Sequence, residues 1–264
     1  MIFDTHAHYN AEAFDEDREE LLDALPEAGI ARAVNVSAEW ESLEETRAHV
    51  ERYPFLYAAY GIHPDNVGDL SEERMDILRE YCLLPKTVAV GEIGLDYYWN
   101  KESKDVQMYW FERQTELARE LKLPVIIHSR DAAEDTFLMA RKLHLEDVGG
   151  VVHCYGYSRE LAREYVKMGL FIGVGGVVTF KNGRKLKETV EDIPLEYLVT
   201  ETDCPYLAPV PFRGKRNSSL YLPYVIDMIA EIKGISREET EKVLWENAHR
   251  LYRLPPPQIH EEND

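Results

Sequence analysis

Six residues whose side chains are typical metal ligands occur at the ends of short apolar runs. They are His6, His8, Glu92, His128, His153 and Asp203. His6 and His8 are two positions apart, so on a β-strand both side chains point to the same face and can share one ion. Imidazole suits first-row divalent metals, while carboxylates bridge ions and bind harder ones. These residue types predict two metal sites with positions left open for water and substrate, as a catalytic centre requires.

A purely structural role for these histidines is the alternative. A single histidine at the end of a strand is more often a hydrogen-bonded core residue than a metal ligand. Six ligand-type residues over five strand ends are hard to explain in that way, because without a cation they would form a costly buried polar cluster. Three further histidines, His49, His144 and His249, fall in helical stretches, where surface or packing roles are expected.

Alternating strand and helix patterns predict the elements that position these residues. The predicted strands are Ile2–His8, Ala31–Ser37, Phe55–Ile62, Thr87–Leu95, Pro124–Ser129, Gly150–Cys154, Leu170–Val178 and Tyr197–Asp203. Runs that are apolar throughout suit a parallel sheet covered on both faces. We predict an α/β fold, a TIM (β/α)8 barrel in a single domain over residues 1–254, with an acidic tail at 255–264. In this fold the chemistry lies at the carboxyl-terminal ends of the strands.

The composition narrows the class of protein. The chain has 264 residues, of which 45% are hydrophobic, and its net charge is −19. This charge argues against a sequence-reading or scaffolding nucleic-acid binder. It does not exclude a nucleic-acid enzyme, because metal ions and a local basic patch act within a Debye length of about 8 Å.

The sequence also indicates the compartment. No apolar run approaches the roughly 20 residues of a membrane span, and the first residues lack the pattern of a secretory signal. Three cysteines are too few, and odd in number, for a disulfide framework. We therefore expect a cytoplasmic protein that does not enter a membrane. The sequence is compatible with a monomer and does not determine the oligomeric state.

Basic residues follow the last two predicted strands, where a TIM barrel usually binds phosphate. Arg213, Lys215 and Arg216 lie in the proline-rich segment Asp203–Asn217, which is long for a βα loop and therefore a candidate functional loop. The earlier run, Lys181–Lys187, is explained equally well as the solvated surface of a helix.

Tyr97, Tyr98 and Trp99 form an aromatic cluster just after Glu92. Base stacking is worth about 1–3 kcal/mol and tolerates any sequence. Packing against the following helix explains Trp99 equally well, so at most one of the three is expected to stack on a base.

These features, taken in order along the chain, resemble those of one known family. The matching motifs are Phe3-Asp-Thr-His-Ala-His8, Gly61-Ile-His-Pro64, Gly91-Glu-Ile-Gly-Leu-Asp-Tyr97, His128-Ser-Arg-Asp131, Val151-Val-His-Cys154, Gly175-Gly-Val-Val-Thr-Phe-Lys-Asn182, Glu201-Thr-Asp-Cys-Pro-Tyr-Leu-Ala-Pro209 and Arg213-Gly-Lys-Arg-Asn217. Over nearly its whole length the chain resembles the TatD family of metal-dependent deoxyribonucleases, within the amidohydrolase-like barrels. One departure is Ser218-Ser219, where the family usually has Glu-Pro and where a serine could cap a helix. The other is His153-Cys-Tyr-Gly-Tyr-Ser158, where His-Cys-Phe-Ser-Gly is usual.

The resemblance implies roles for individual residues. One metal ion would be held by His6, His8, Glu92 and Asp203, and a second by Glu92, His128 and His153, with Glu92 bridging. His63 would lie near the scissile phosphate, and Arg130 and Arg213 would contact phosphate oxygens. Family members hydrolyse DNA, often from a 3′ end, so the implied partner is DNA, as single strands or 3′ ends.

The predicted reaction is phosphodiester hydrolysis by a 3′-to-5′ exodeoxyribonuclease that uses two divalent ions, Mg²⁺, Mn²⁺ or Zn²⁺. A metal-activated water attacks phosphorus, with Asp203 as general base and Glu92 as the other catalytic carboxylate. One alternative is a two-metal hydrolase of a carboxylic ester, lactone or aminoacyl ester on the same barrel. Another is a metal-binding barrel without enzymatic activity, which the open ligand positions disfavour.

Overall fold

The structure, a computed structural model, describes residues 1–99 and 101–255 and contains one parallel sheet whose strands follow the order of the sequence. The strands are β1 (Ile2–Ala7), β2 (Ile30–Val36), β3 (Leu56–Tyr60), β4 (Thr87–Asp96), β5 (Val125–Arg130), β6 (Gly150–Val152), β7 (Phe171–Val174) and β8 (Leu198–Thr200). Thr5 Oγ1 donates to Thr200 O at 2.9 Å, which brings β8 beside β1. Ala7 pairs with Cys204 at the same seam. The predicted TIM barrel is confirmed.

Helices surround the barrel. They are α1 (Arg18–Ala24), α2 (Ser42–Arg52), α3 (Glu72–Cys82), α4 (Lys104–Leu121), α5 (Ala133–Lys142), α6 (Leu145–Val148), α7 (Arg159–Lys167), α8 (Arg184–Asp192), α9 (Leu222–Lys233) and α10 (Arg237–Leu251). The serines before α3, α4, α7 and α10 each accept a backbone N–H from the first turn, which satisfies a donor that has no partner within the helix.

The amino-terminal end of the barrel is closed by α10. Phe3 of β1 packs against Trp245 and Tyr252, with ring centroids 5.9 Å apart in both pairs. The Tyr252 hydroxyl donates to Thr5 O at 2.6 Å. These contacts anchor α10 to the start of β1, on the side of the barrel away from the predicted chemistry.

Two predicted strands end three or four residues earlier than expected. β7 ends at Val174 rather than Val178, because Gly176–Thr179 form a 3₁₀ helix. A side chain at Gly176 would come within 2.0 Å of Leu207 O, so glycine is needed for the long loop after β8 to pack here. β8 ends at Thr200, and Asp203 lies three residues beyond it with a left-handed backbone (φ 54°).

Among the described residues, no helix is both long and apolar enough to cross a membrane. The thiols of all three cysteines are free. Beyond Pro255, the acidic tail expected at 255–264 lies outside the described residues.

Candidate metal centre

The structure brings all six predicted ligands together at the carboxyl-terminal end of the barrel. His6, Glu92 and His128 lie on β1, β4 and β5, and His8, His153 and Asp203 follow the ends of β1, β6 and β8. The side chains are largely buried, with at most 17% of any one exposed. Five strands therefore deliver imidazoles and carboxylates to one point.

The first group of ligand atoms lies around His6 and His8, whose Nε2 atoms are 3.0 Å apart. Asp203 Oδ1 lies 3.7 and 3.4 Å from these two nitrogens. Glu92 Oε2 lies 3.4 and 3.5 Å from them. With metal–ligand bonds of about 2.1 Å, the ligand atoms of one ion are roughly 3.0–3.4 Å apart. The four side chains therefore have nearly the spacing that a single divalent ion requires.

The second group lies around the other oxygen of Glu92. Oε1 is 2.6 Å from His128 Nδ1 and 2.7 Å from His153 Nε2. The two nitrogens are 3.2 Å apart. Glu92 thus turns one oxygen toward each group, which is the position of a carboxylate shared between two ions.

Hydrogen bonds behind the imidazoles determine which nitrogen faces each group. His8 Nδ1 donates to Val36 O at 2.9 Å, so in the neutral ring Nε2 presents a lone pair. His128 Nε2 donates to Asp96 Oδ2 at 3.0 Å, which likewise leaves Nδ1 as an acceptor. Metal-binding histidines are usually oriented by a carbonyl or carboxylate in this way. The residues present therefore fit a divalent metal centre.

The carboxylates of the cluster also attract positive charge. Burial alone lowers the pKa of His8, but the hydrogen bond to Asp203 and the charge of Glu92 outweigh it and raise the pKa to about 9. For His128, burial is similarly outweighed by Asp96 and Glu92, and its pKa is also about 9. Burial opposes the ionisation of Glu92, yet the surrounding imidazoles hold its pKa well below the usual range. At neutral pH the cluster therefore holds cations, whether protons or metal ions.

His63 is oriented as a hydrogen-bond donor toward the second group. Its Nδ1 accepts the backbone N–H of Asp65 at 3.1 Å, so the neutral ring carries its proton on Nε2. Burial and the charge of His128 lower the pKa of His63 to about 3, which keeps the ring neutral. Nε2 lies 3.8 Å from Glu92 Oε1. His63 can therefore donate to an oxygen of a bound substrate.

The predicted substrate-contacting arginines are exposed at this end of the barrel, Arg130 as the last residue of β5 and Arg213 in the loop after β8. The Arg130 guanidinium lies over the ring of Tyr98, with Cζ 3.9 Å from the centroid. Arg213 lies over the ring of Phe180 at 4.5 Å. Neither arginine forms an ion pair with another described residue, so both charges are available to an anion.

Other basic residues of these loops have protein partners. Arg216 pairs with Asp17 at 2.6 Å and fixes the loop after β8 to the segment before α1. Arg184 pairs with Glu188 one turn along α8 at 2.9 Å. Arg216 therefore has a structural role here. Arg184, from the basic run Lys181–Lys187, belongs to the solvated surface of α8.

Sequence reasoning assigns no role to two buried carboxylates beside the cluster, Asp96 and Glu201. Asp96 orients His128, as described above. Glu201 accepts the backbone N–H of Cys154, and burial raises the pKa of Glu201 to about 8. Each lies within four residues of a predicted ligand, and this spacing is the sequence signal that could have identified it.

Asp4, a third buried carboxylate, connects the segments that carry the ligands. Its Oδ1 accepts the backbone N–H groups of His6 and Thr202 at 3.2 and 3.0 Å. Its Oδ2 accepts the hydroxyls of Thr202 and Ser219 at 2.7 and 2.6 Å. The helix cap expected at Ser218-Ser219 is absent, because Ser218 precedes a 3₁₀ helix without a side-chain cap and Ser219 binds Asp4 instead.

The chain is similar to known proteins over nearly its whole length. The family model described as TatD related DNase matches residues 3–253. The chain belongs to the TatD family. It is therefore an enzyme, a metal-dependent hydrolase, as its motifs predict.

Individual TatD relatives are similar over their full length. The chain is 45% identical over 254 residues to YabD of Bacillus subtilis (strain 168), which is named an uncharacterized metal-dependent hydrolase. This match covers 96% of this chain and 100% of YabD. It is 32% identical over 261 residues to a protein of Erwinia billingiae named 3′-5′ ssDNA/RNA exonuclease TatD. That match covers 96% of this chain and 100% of the relative. The crystal structure of YjjV, a TatD homologue from Escherichia coli K12, superimposes with a TM-score of 0.88 at 30% identity and covers 96% and 98% of the two chains.

Proposed function

We propose that this TatD-family protein hydrolyses phosphodiester bonds of DNA with two divalent ions and removes nucleotides from the 3′ end of single strands. The observation that carries the proposal is Glu92, whose two oxygens face two separate groups of ligand atoms. Two-metal sites of this kind act on both the attacking and the leaving oxygen of a phosphoryl group. The name of the Erwinia billingiae relative supports the polarity.

In the proposed centre, His6, His8 and Asp203 would hold one ion, His128 and His153 would hold the other, and Glu92 would be shared between them. Nitrogen and carboxylate donors together admit Mg²⁺, Mn²⁺ or Zn²⁺. When bound, the ions acidify a water molecule and offset negative charge on the phosphate oxygens.

Asp203 is the proposed general base. Its Oδ1 faces His6 and His8, and within the described residues no hydrogen bond reaches Oδ2, which is left to accept the proton of the attacking water. Burial raises the pKa of Asp203, but the hydrogen bond from His8 and the neighbouring imidazole charges lower it overall, so the carboxylate is ionised at neutral pH.

The groups that stabilise the reacting phosphate are donors aimed at its oxygens. His63 offers a neutral Nε2–H, and Arg130 and Arg213 offer guanidinium N–H groups without competing ion pairs. Donors fixed in advance are most effective where charge develops in the transition state.

Hydrolysis of a carboxylic ester, lactone or aminoacyl ester is the second candidate, because one barrel with one ligand set serves many substrates. A neutral carbonyl gives Arg130 and Arg213 no anionic partner, which favours the phosphodiester. An aminoacyl ester of RNA retains the phosphate contacts, and the experiment below separates it from DNA.

The test starts from protein stripped of metal and resupplied with single divalent ions. Single-stranded DNA labelled at the 3′ or 5′ end is compared with an aryl ester and an aminoacyl-RNA ester. We expect metal-dependent shortening from the 3′ end that is lost in Asp203→Asn, a substitution that suits the left-handed backbone at this position. Ester turnover with intact DNA would establish the second candidate instead.

We also place the protein in the cytoplasm. All three cysteines are free, which suits a reducing compartment. Fractionation of cells that produce the protein, followed by detection with an antibody, tests this placement.

A further inference from the structure

Two exposed aromatic side chains stand beside the metal centre. Tyr98 is 54% exposed and Trp99 is 59% exposed. Their rings meet edge to face, with centroids 5.0 Å apart. The other three tryptophans, Trp40, Trp110 and Trp245, are covered more fully by the protein. Packing therefore does not explain the position of Trp99.

One carboxylate fixes this aromatic pair relative to the metal centre. Asp96 Oδ1 accepts the backbone N–H of Tyr98 at 2.8 Å and that of Trp99 at 3.0 Å. The other oxygen of the same carboxylate, Oδ2, accepts a hydrogen bond from His128 Nε2 at 3.0 Å. Because Asp96 is buried, the backbone that carries the two rings is fixed relative to the imidazole of His128.

Tyr97 differs from its two neighbours. Its hydroxyl donates to Asp135 Oδ2 at 2.8 Å, and its backbone N–H donates to Arg130 O at 2.9 Å. These bonds tie β4 to β5 and to α5. Tyr97 is therefore a structural residue, and the exposed pair is Tyr98 and Trp99.

Arg130 completes the arrangement. Its Cζ lies 3.9 Å from the centroid of Tyr98 and 5.7 Å from that of Trp99. A guanidinium stacked on a ring keeps its N–H groups at the edge of its plane, where a phosphate oxygen can accept them. A cation for phosphate and aromatic faces for bases are the two parts of sites that bind single-stranded nucleic acid.

We propose that Trp99, supported by Tyr98 and Arg130, stacks on a nucleobase of a single-stranded nucleic acid whose phosphate is bound at the metal centre. The inference rests on the proposed function and adds the base as a second recognised group. Every base has an aromatic face, so the site does not select sequence. It does select single strands, because a paired base within a duplex is already stacked on its neighbours.

Tryptophan fluorescence tests binding apart from turnover. Asp203→Asn protein with Mg²⁺ is titrated with oligo(dT) and with an abasic oligomer of the same length. We expect oligo(dT) to quench the fluorescence and the abasic oligomer to leave it unchanged. Adding Trp99→Phe to Asp203→Asn should remove the quenching. Equal responses to the two oligomers, or no response to oligo(dT), would overturn the proposal.

Steady-state kinetics of the metal-loaded enzyme are the second test of the base site. Trp99→Ala should raise KM for oligo(dT) by about 5- to 150-fold, the range that loss of one stacked base implies. KM for the abasic oligomer should not change, and Trp99→Phe should restore most of the loss. Tyr109→Ala is the matched control, since Tyr109 is 49% exposed and lies on α4 bonded to Glu72.

The outcomes separate the two proposals. A KM increase that is the same for both oligomers, or that Tyr109→Ala reproduces, contradicts the base site. If the wild-type enzyme hydrolyses neither oligomer while the base-dependent quenching persists, the phosphodiesterase proposal fails and the base site stands.

Discussion

Histidines are buried at both ends of this barrel, in opposite surroundings. At the carboxyl-terminal end, His6 and His8 face each other and two carboxylates. At the amino-terminal end, His249 of α10 packs between aromatic rings, with centroids 5.5 Å from Phe3 and 4.4 Å from Trp245. Its Nδ1 donates to Trp245 O at 2.8 Å, one turn back along the helix.

The difference shows that burial alone does not decide what a histidine does. Burial and the charge of Arg32 lower the pKa of His249, and no carboxylate among the described residues opposes them, so the ring is a neutral packing group. Carboxylates reverse that effect at His8. A cation is therefore required at one end of the barrel and unnecessary at the other.

The largest effect is expected from Glu92→Gln. The amide keeps the shape of the side chain but removes the charge that faces both groups of ligand atoms. We expect bound metal to be lost and turnover to fall by about 10³-fold or more, since one group of this kind is worth roughly 10²–10³ and here serves two sites. Elemental analysis of desalted, metal-loaded protein and an assay of labelled DNA measure both.

Glu39→Gln is the matched control for that change, because Glu39 is exposed after β2 and does not belong to either group of ligand atoms. It should bind metal as the wild type does. If Glu92→Gln retained two equivalents of metal, the assignment of a shared carboxylate would be wrong.

Asp96→Asn should have the next largest effect. Asparagine still accepts the backbone N–H groups of Tyr98 and Trp99, but its amide donates toward His128 and moves the imidazole proton to Nδ1, the proposed ligand atom. Removing such a supporting carboxylate costs about 10- to 100-fold in metal affinity or activity. Titration with a competing chelator should show weaker binding of one of the two ions.

Asp135→Asn serves for comparison, since Asp135 is a part-buried carboxylate on α5 that binds Tyr97. Equal losses in the two variants would mean that Asp96 stabilises the fold rather than orienting His128.

How much of the site can be predicted from the sequence depends on whether the position of each residue is set by its neighbours along the chain. The pairing of His6 with His8 follows from strand periodicity, and the structure shows it. The position of Asp203 does not follow, because the chain leaves β8 at Thr200 and turns through a left-handed residue. Beyond the end of a strand, the alternation of side chains between the two faces no longer predicts where a residue points.

Spacing along the sequence could mark the supporting carboxylates as candidates, but it could not identify the groups that they contact, for a related reason. Asp96 acts on His128 through the register between β4 and β5, and Asp4 acts on Thr202 across the seam between β1 and β8. Neither partner is close in sequence. Residue type predicted which groups could bind metal, whereas the hydrogen bonds that aim them depend on the assembled barrel.

Asp4→Ala should affect stability more than chemistry. It removes the buried carboxylate that accepts the backbone N–H of Thr202 and the hydroxyl of Ser219, and a hydrogen bond to a charged group is worth about 1.5–3 kcal/mol. We expect the free energy of unfolding in urea to fall by roughly 3 kcal/mol. Asp4→Asn, which keeps an acceptor, should lose less. A loss of metal from Asp4→Asn without any loss of stability would show that the charge of Asp4 acts on the metal centre directly.

The smallest effect is expected at the other end of the barrel, from His249→Phe. The new ring fits between Phe3 and Trp245, so metal content and turnover should stay within about twofold of the wild type.

The effect of His249→Phe should be visible in how the free energy of unfolding depends on pH. The folded protein lowers the pKa of His249, so below about pH 6.5 the unfolded chain takes up a proton that the folded chain resists, and the wild type loses stability as the pH falls. Urea unfolding at pH 7.5 and pH 5.5 should therefore show a smaller loss in His249→Phe than in the wild type. Loss of metal from this variant would instead mean that α10 supports the metal centre through the length of the barrel, and that the two ends are not independent.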